Sequence, residues 1–129
     1  MNVYRISAIT LLVKNMKRSC KFYSRIPGFR LVCGGPSDLF TTYEVGKDSK
    51  MYLNLELSNA DTRGDFGRII FHSDDVDKLY AYIKNDDYIS KLGTFENEPS
   101  DASWGERFFH MRDPDYYQLS FAMPIRKSR

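Results

Sequence analysis

Cysteine is scarce in this chain, and long apolar runs are absent from it. Only two cysteines occur among the 129 residues, Cys20 and Cys33, and neither belongs to a Cys-x-x-Cys pair. We interpret both as small buried apolar side chains in a reducing compartment, because nothing in the sequence supports a disulfide between them. The first residues lack the apolar core of a secretory signal, and no apolar run approaches the length that spans a bilayer. We therefore expect a cytoplasmic protein that has no membrane partner.

An excess of charge of one sign is also missing. Lysine and arginine number 19 against 17 aspartates and glutamates, and the formal net charge is +2. The basic cluster Arg126–Arg129 ends the chain and is interpreted as a solvated tail. Nucleic acid is a poor candidate partner, since proteins that follow phosphates usually carry a basic face or have a high pI. The 42% of hydrophobic and 15% of aromatic residues are sufficient for the core of one domain.

Apolar periodicity and turn residues predict the same element order in both halves of the chain. In the first half, a strand ending at Val13 precedes a helix that Asn15 caps and Pro27-Gly28 ends, and three strands follow. In the second half, a strand ending at His72 precedes a helix that Asp74 and Asp75 cap, and three strands follow again. The later strands are expected at Phe29–Cys33, Leu39–Val45, Lys50–Leu57, Lys91–Glu96, Glu106–Met111 and Tyr117–Met123.

This duplication predicts an α+β fold of two βαβββ modules, at about 4–58 and about 66–124, within a single domain 1–129. Each module has a sheet with a helix on one face and nothing on the other. We expect the two open faces to come together in a curved, half-barrel mixed sheet around a central cleft, and clefts between packed modules are where small ligands usually bind.

Four motifs occur in the order in which one known family has them. They are Leu12–Tyr23, Pro27-Gly28-Phe29, Ser73–Asp77 and Ser103–Asp115, the last with Trp104-Gly105 and Asp113-Pro114-Asp115. On these motifs the chain resembles the glyoxalase/bleomycin resistance/dioxygenase (vicinal oxygen chelate) superfamily, and within it the bleomycin-resistance-like branch. The family's turn is usually Asp-Pro-Asp-Gly, whereas Tyr116 follows Asp115 here. Because a tyrosine accepts a positive φ only at a cost, either the turn differs or Tyr116 is strained.

The resemblance implies where a metal would be held, since four side chains converge in the metal-using members. The corresponding positions here are Ala8, Glu56 (or Asn54, if the register shifts), Arg68 and Ser120. Alanine offers no ligand atom, and a guanidinium carries a permanent charge and has no lone pair to give. One carboxylate cannot hold a transition metal in a usable site, so we expect no metal and no cofactor. We interpret His72 and His110 as structural side chains rather than ligands.

The same cleft is expected to hold a small organic molecule. Period-2 alternation along Lys50–Leu57 turns Tyr52, Asn54 and Glu56 toward it. The candidate ligand-binding residues are Phe40, Tyr52, Asn54, Glu56, Arg68, Trp104, Arg107, Phe109 and Ser120. An aromatic pocket with a few polar anchors suits flat or heteroaromatic compounds.

Some of these residues have two interpretations each. Arg68 and Glu56 either form an ion pair in the cleft or point to solvent at its mouth. Trp104 either stacks on a ligand or packs at a module or subunit boundary. Arg107 is expected in a salt bridge to an aspartate of the 113–115 turn, with ligand contact as the alternative.

Three functions remain open on the sequence. The first is a metal-independent binding protein that sequesters an aromatic or heteroaromatic molecule. The alternative is a lyase, isomerase or dioxygenase relative acting on a small carbonyl compound, with Glu56 as general base, a role that requires its burial, and Arg68 polarising the carbonyl. The third is a dimeric interaction module with a vestigial cleft. The resemblance also implies a homodimer.

Overall fold

The computed structural model describes residues 1–3, 5–61 and 66–125, so the basic cluster at the end of the chain lies outside the described residues. The chain divides into two compact units, Met1–Thr62 and Arg63–Arg129. The fold is α+β, and each unit contributes a mixed sheet that is not closed into a barrel. Within the described ranges no helix has the length and apolar character needed to cross a membrane.

The first unit consists of four strands and one helix. Its elements are β1 (Ala8–Val13), α1 (Met16–Tyr23), β2 (Phe29–Cys33), β3 (Phe40–Val45) and β4 (Met51–Leu57). The strand order is β1-β4-β3-β2, with β1 parallel to β4 and the other neighbours antiparallel. All four predicted strands are found within two residues of their expected ends.

Helix α1 begins where the sequence predicts and ends earlier. The Asn15 side chain accepts a hydrogen bond from the backbone N–H of Arg18, which satisfies one of the free donors of the first turn. The helix ends at Tyr23, and the N–H of Ser24 caps it on the carbonyl of Cys20. The predicted end at Pro27-Gly28 is therefore late, because the chain leaves the helix before the proline is reached.

The second unit repeats this arrangement with additions. Its elements are β5 (Arg68–His72), α2 (Val76–Lys84), α3 (Asp87–Leu92), β6 (Thr94–Phe95), β7 (Ser100–Asp101), β8 (Glu106–Arg112) and β9 (Gln118–Pro124). The order is β5-β9-β8-β6, with β7 also paired to β8, and β5 runs parallel to β9. The side chain of Asp75 caps α2 by accepting the N–H of Lys78, as the sequence predicts.

The predicted strand Lys91–Glu96 is wrong in its first half. The Asp86 carboxylate accepts hydrogen bonds from the N–H groups of Tyr88 and Ile89, and this cap begins α3. Burial of Ile89 holds the short helix against the unit, and Gly93 ends it. Only Thr94–Phe95 then remains to pair with β8.

Each sheet has one face covered by its helix and one open face. In the first unit the covered face carries fully buried side chains such as Val13, Tyr43 and Leu55. In the second unit it carries Phe109, Met111 and Leu119. Because side chains alternate along a strand, the residues between these form the open face of each sheet.

The two cysteines are both free thiols and differ in exposure. Cys20 is buried in α1, with its Sγ 3.9 Å from the Thr41 hydroxyl. Cys33 is exposed at the end of β2, where the pairing with β3 is irregular. The prediction that Cys33 is buried is wrong, since the edge strand turns it outward.

Candidate ligand-binding site

The open face of the first unit carries all four residues predicted there. Tyr52 and Asn54 are half-buried and Glu56 is exposed, while Leu53 and Leu55 lie in the core on the other side. Phe40 pairs with Glu56 across the antiparallel ladder and is 42% exposed. The alternation predicted for this strand is confirmed.

Asn54 has a fixed position at the centre of this face. Its amide oxygen accepts a hydrogen bond from the Thr42 hydroxyl at 2.7 Å, and its amide nitrogen donates to the Thr10 hydroxyl at 3.2 Å. Both ends of the side-chain amide are therefore engaged by neighbouring strands. The amide orientation follows from these two partners.

The internal repeat decides between Asn54 and Glu56 as the equivalent of Ser120. In the parallel pairs, Ala8 lies opposite Tyr52 and Arg68 lies opposite Gln118. Asn54 lies two residues after Tyr52 in the first unit, and Ser120 lies two residues after Gln118 in the second, so these two positions are equivalent. Glu56 lies two residues beyond that position, opposite Leu12.

The side chains at the four family positions do not fit a divalent transition metal. Ala8 has no ligand atom, and Arg68 presents a cation. The amide of Asn54 is already engaged, which leaves the buried hydroxyl of Ser120. In the described part of the chain, no three side chains of His, Cys, Asp or Glu are grouped so that they could hold a metal ion.

Glu56 is exposed, and its register neighbours Phe40 and Leu12 are apolar. The burial on which its predicted role as a general base depends is therefore absent. The ion pair of Glu56 with Arg68 stays a prediction, because the two residues belong to different units.

The open face of the second unit carries a row of three aromatic side chains. The ring of Trp104 stacks on that of Phe108 at 5.8 Å between centroids, with 29° between the planes. The centroids of the Phe108 ring and the His110 imidazole are 4.7 Å apart. Trp104 is 66% exposed, and Ile70, also on this face, is 57% exposed. The row is therefore an accessible aromatic surface.

Polar contacts fix the end of this row at Trp104. The indole N–H of Trp104 donates to Oε1 of Glu106 at 3.0 Å. The other carboxylate oxygen, Oε2, lies 3.1 Å from Nε2 of His72. Glu106 thus bridges a ring of the row and a side chain of β5, and it holds the indole in one orientation.

A chain of charged and amide side chains occupies the other end of the face. Nε of Arg68 donates to Oε1 of Gln118 at 3.0 Å, and Nε2 of Gln118 donates to Oε1 of Glu96 at 2.8 Å. Oε2 of Glu96 accepts from Nε of Arg112 at 3.1 Å. Burial raises the pKa of Glu96, but the hydrogen bonds from Gln118 and Arg112 outweigh it and lower the pKa overall.

His110 lies between the aromatic row and the charged chain. Its backbone N–H donates to the Asn97 side chain at 2.7 Å. Its Nδ1 is buried and has no hydrogen-bond partner among the described residues. Burial, and after it the positive charge of Arg68, lowers the pKa of His110. The imidazole is therefore neutral near neutral pH and acts as part of the aromatic surface.

The prediction that Phe109 lines the site is wrong. Phe109 is fully buried on the covered face, with ring centroids 5.1 Å from Tyr80 and 5.2 Å from Phe121. Its neighbour Phe108 occupies the open face instead, since successive side chains of β8 point to opposite sides.

Arg107 shares the covered face with Phe109. Its guanidinium binds Asp77 of α2 at 2.9 Å and Asp101 of β7 at 2.9 Å. The expected salt bridge is present, but its predicted partner in the 113–115 turn is wrong. The hydrogen bond from Arg107 lowers the pKa of Asp77, so the pair ties α2 to the sheet.

The turn after β8 keeps a left-handed residue although the glycine is replaced. Tyr116 has a φ of 73°. The Asp113 carboxylate accepts the N–H groups of Asp115 and Tyr117, which fixes the turn around it. The Arg112 guanidinium lies 4.8 Å from the Tyr116 ring centroid and donates to the Tyr116 carbonyl. Of the two expectations for this turn, strain at Tyr116 is confirmed.

Sequence reasoning missed several residues of the second open face. Glu96, Glu106 and Phe108 were not considered, His72 and His110 were interpreted as structural, and Gln118 was left out of the candidate residues. The alternation in Gln118–Ser120, extended across the ladder to His110 and Phe108, is the signal that identifies the face. Reading it requires the register of β8 against β9.

One family model matches the chain, and several solved structures share its fold. The family model of the glyoxalase/bleomycin resistance protein/dioxygenase superfamily matches residues 5–121. No curated protein matches the chain. A glyoxalase/bleomycin resistance protein/dioxygenase family enzyme from Burkholderia phytofirmans is similar in structure, with a TM-score of 0.72, 17% identity, and coverage of 90% of this chain and 95% of that one.

Two further solved structures are similar in fold. TioX from Micromonospora has a TM-score of 0.70 and 17% identity, and the match covers 95% of this chain and 100% of that one. A superfamily member from Sphaerobacter thermophilus has a TM-score of 0.67 and 23% identity, with coverage of 93% and 97%. Identities this low show the fold alone. With the family model matched over nearly the whole length, the chain belongs to the glyoxalase/bleomycin resistance protein/dioxygenase superfamily.

Proposed function

We propose that the protein binds a flat aromatic or heteroaromatic small molecule, without a metal, on the open face of the second unit. The observation that carries the proposal is the row of Trp104, Phe108 and His110. The 66%-exposed Trp104 stacks on the half-buried Phe108, and the half-buried His110 ring lies tilted against Phe108. A planar ligand extends such a row by stacking, and each aromatic contact adds about 0.5–1.5 kcal/mol beyond apolar burial.

Preorganisation supports this proposal. The indole of Trp104 is held by Glu106, which is itself within hydrogen-bonding distance of His72. A side chain that is already ordered loses little conformational entropy when a ligand stacks on it. Burial of about 200 Å² of apolar surface at about 25 cal/mol per Å² gives about 5 kcal/mol, so a two-ring probe is expected to bind with a Kd of about 0.1–1 mM.

The second unit also has a groove of about 660 Å³ that Arg107 helps to line. It suits a planar apolar ligand less well, because Asp74 and Asp101 border it and Arg107 is paired with carboxylates. Stacking rings are absent from its described lining. The aromatic row is therefore the better site for the proposed ligand.

The metal independence of the proposal rests on the donor set. An alanine and an arginine stand at two of the four family positions, and neither can ligate a divalent cation. The enzyme alternative depends on Glu56, whose exposure gives it no support. Binding of the probe is therefore expected to be the same with and without a chelator.

Calorimetric titration with naphthamide tests the binding proposal. The Phe108→Ala variant is expected to weaken binding about tenfold or more, since it removes the centre of the aromatic row. The matched control is Tyr82→Ala, which removes a ring that is 58% exposed on α2, away from the open face. Equal affinity of wild type and Phe108→Ala, or a loss confined to Tyr82→Ala, would contradict the proposal.

The homodimer and the cytoplasmic location stay predictions. Light scattering of the purified protein at several concentrations tests the homodimer, for which a mass of about twice 15.1 kDa is expected. A mass that stays at one chain would show that the site must function within a single subunit.

A further inference from the structure

Arg68 lies at the start of β5, on the open face that carries the aromatic row. Its Nε is bound by the amide oxygen of Gln118, and the Gln118 amide nitrogen is bound by Glu96. These two contacts fix which end of the Gln118 amide faces Arg68. The guanidinium is consequently held along one edge by a neutral acceptor.

The charge of Arg68 is not neutralised by this arrangement. The carboxylate of Glu96 forms a salt bridge with Arg112 at 3.1 Å. Its negative charge is therefore balanced by Arg112 and not by Arg68. Among the described residues, no carboxylate forms a salt bridge with Arg68. Burial is the main reason for the lowered pKa of His110; the charges of Arg68 and Arg112 lower that pKa further, and the charge of Glu96 raises it.

Distance along the sheet relates this cation to the apolar surface. Ile70 is two residues from Arg68 on the same face, about 7 Å along the strand. Ser120 lies opposite Ile70, and His110 lies opposite Ser120 on the next strand. A two-ring compound that covers Ile70 and His110 can thus extend an attached acidic group to the guanidinium.

We propose that Arg68 binds an oxyanion of the ligand, so that the ligand class is a planar aromatic acid. This inference rests on the proposed function and specifies the charge of the ligand. The two terminal nitrogens of a guanidinium match the geometry of a carboxylate or a phosphate, and such charge-assisted hydrogen bonds are stronger than neutral ones.

Matched probes separate the charge from the ring. Naphthoate and naphthamide have the same ring and differ at one terminal group, and their affinities are measured by calorimetry for each variant. Wild type is expected to bind naphthoate about tenfold more tightly than naphthamide. In Arg68→Gln the two affinities are expected to agree within about twofold, because naphthoate loses its charge-assisted hydrogen bonds to the guanidinium.

Lys78→Gln is the control variant, because it removes the same charge from the exposed side of α2. This variant is expected to keep the full preference for naphthoate. A third probe, naphthyl phosphate, distinguishes the two kinds of oxyanion. Tighter binding than naphthoate would assign a phosphate and weaker binding a carboxylate, and a preference for either over naphthamide that depends on Arg68 supports the inference.

Two kinds of result would contradict the inference. One overturns the inference alone, and the other overturns the proposed function as well. If wild type binds naphthoate and naphthamide equally, or if the preference survives in Arg68→Gln, Arg68 is not the anion-binding residue although the aromatic site stands. If wild type binds none of the three probes, the aromatic site fails and the inference fails with it.

Discussion

Phe108 and Phe109 are neighbours on β8 with side chains on opposite faces of the sheet, so replacing each with alanine separates binding from stability. Phe109 is fully buried between the rings of Tyr80 and Phe121. Phe108 is half-buried on the open face, where it stacks on Trp104 and makes a tilted contact with the His110 ring. The two substitutions remove the same atoms from the chain.

The expected magnitudes differ severalfold. Phe109→Ala removes a ring from a closed core and is expected to cost about 3–5 kcal/mol in the free energy of unfolding. Phe108→Ala leaves its position open to water and is expected to cost about 1 kcal/mol. At this chain length a loss of 1 kcal/mol lowers the Tm by roughly 3–5 °C, so the two variants should differ by about 10 °C.

Urea unfolding followed by far-ultraviolet circular dichroism measures both values. The fluorescence of Trp104 is less suitable, because the indole contacts Phe108 directly. If the two variants lose the same stability, or if Phe108→Ala loses more, the assignment of faces on β8 is wrong. The ligand site would then have to be placed around Phe109.

Three further substitutions test other contacts. In urea unfolding, Tyr116→Val is expected to be about 1–2 kcal/mol less stable than Tyr116→Asn, because β-branched residues tolerate a left-handed φ poorly. Equal stability of the two variants would contradict the left-handed conformation at position 116. Arg107→Gln is expected to destabilise most near neutral pH. Because Arg107 lowers the folded-state pKa of Asp77, this stabilisation exists above the unfolded pKa and is lost as the pH falls through the folded pKa; a pH-independent loss would contradict it. In Arg68→Gln the pKa of His110, followed by NMR titration, is expected to rise. An unchanged pKa would show that the charge of Arg68 does not act on His110.

Local signals predicted most of the fold. Asn15 and Asp75 cap their helices as expected, because a cap depends on a side chain and on backbone groups three residues away. The face of Tyr52 and Asn54 follows from strict alternation with leucines. The short helix α3 was missed, because its six residues make fewer than two turns and show no clear apolar period.

The residues of β8 alone could not predict which of its side chains point to the covered face and which to the open face. Arg107–Met111 has two adjacent phenylalanines and no alternation that distinguishes them. Contacts distant in sequence decide the matter, since Arg107 reaches Asp77 and His110 pairs with Ser120. For the same reason the sequence indicated that Arg107 forms a salt bridge and did not identify its partner.

The binding proposal is tested most directly by amide-correlation NMR spectra of the protein during titration with naphthoate. The largest shifts are expected at the indole N–H of Trp104 and at the backbone amides of Phe108 and Ile70. The backbone amide resonances of α2, on the covered side of the same unit, are expected not to shift. Shifts centred on α2, or no shifts at a probe concentration well above 1 mM, would contradict the assignment of the open face as the ligand site.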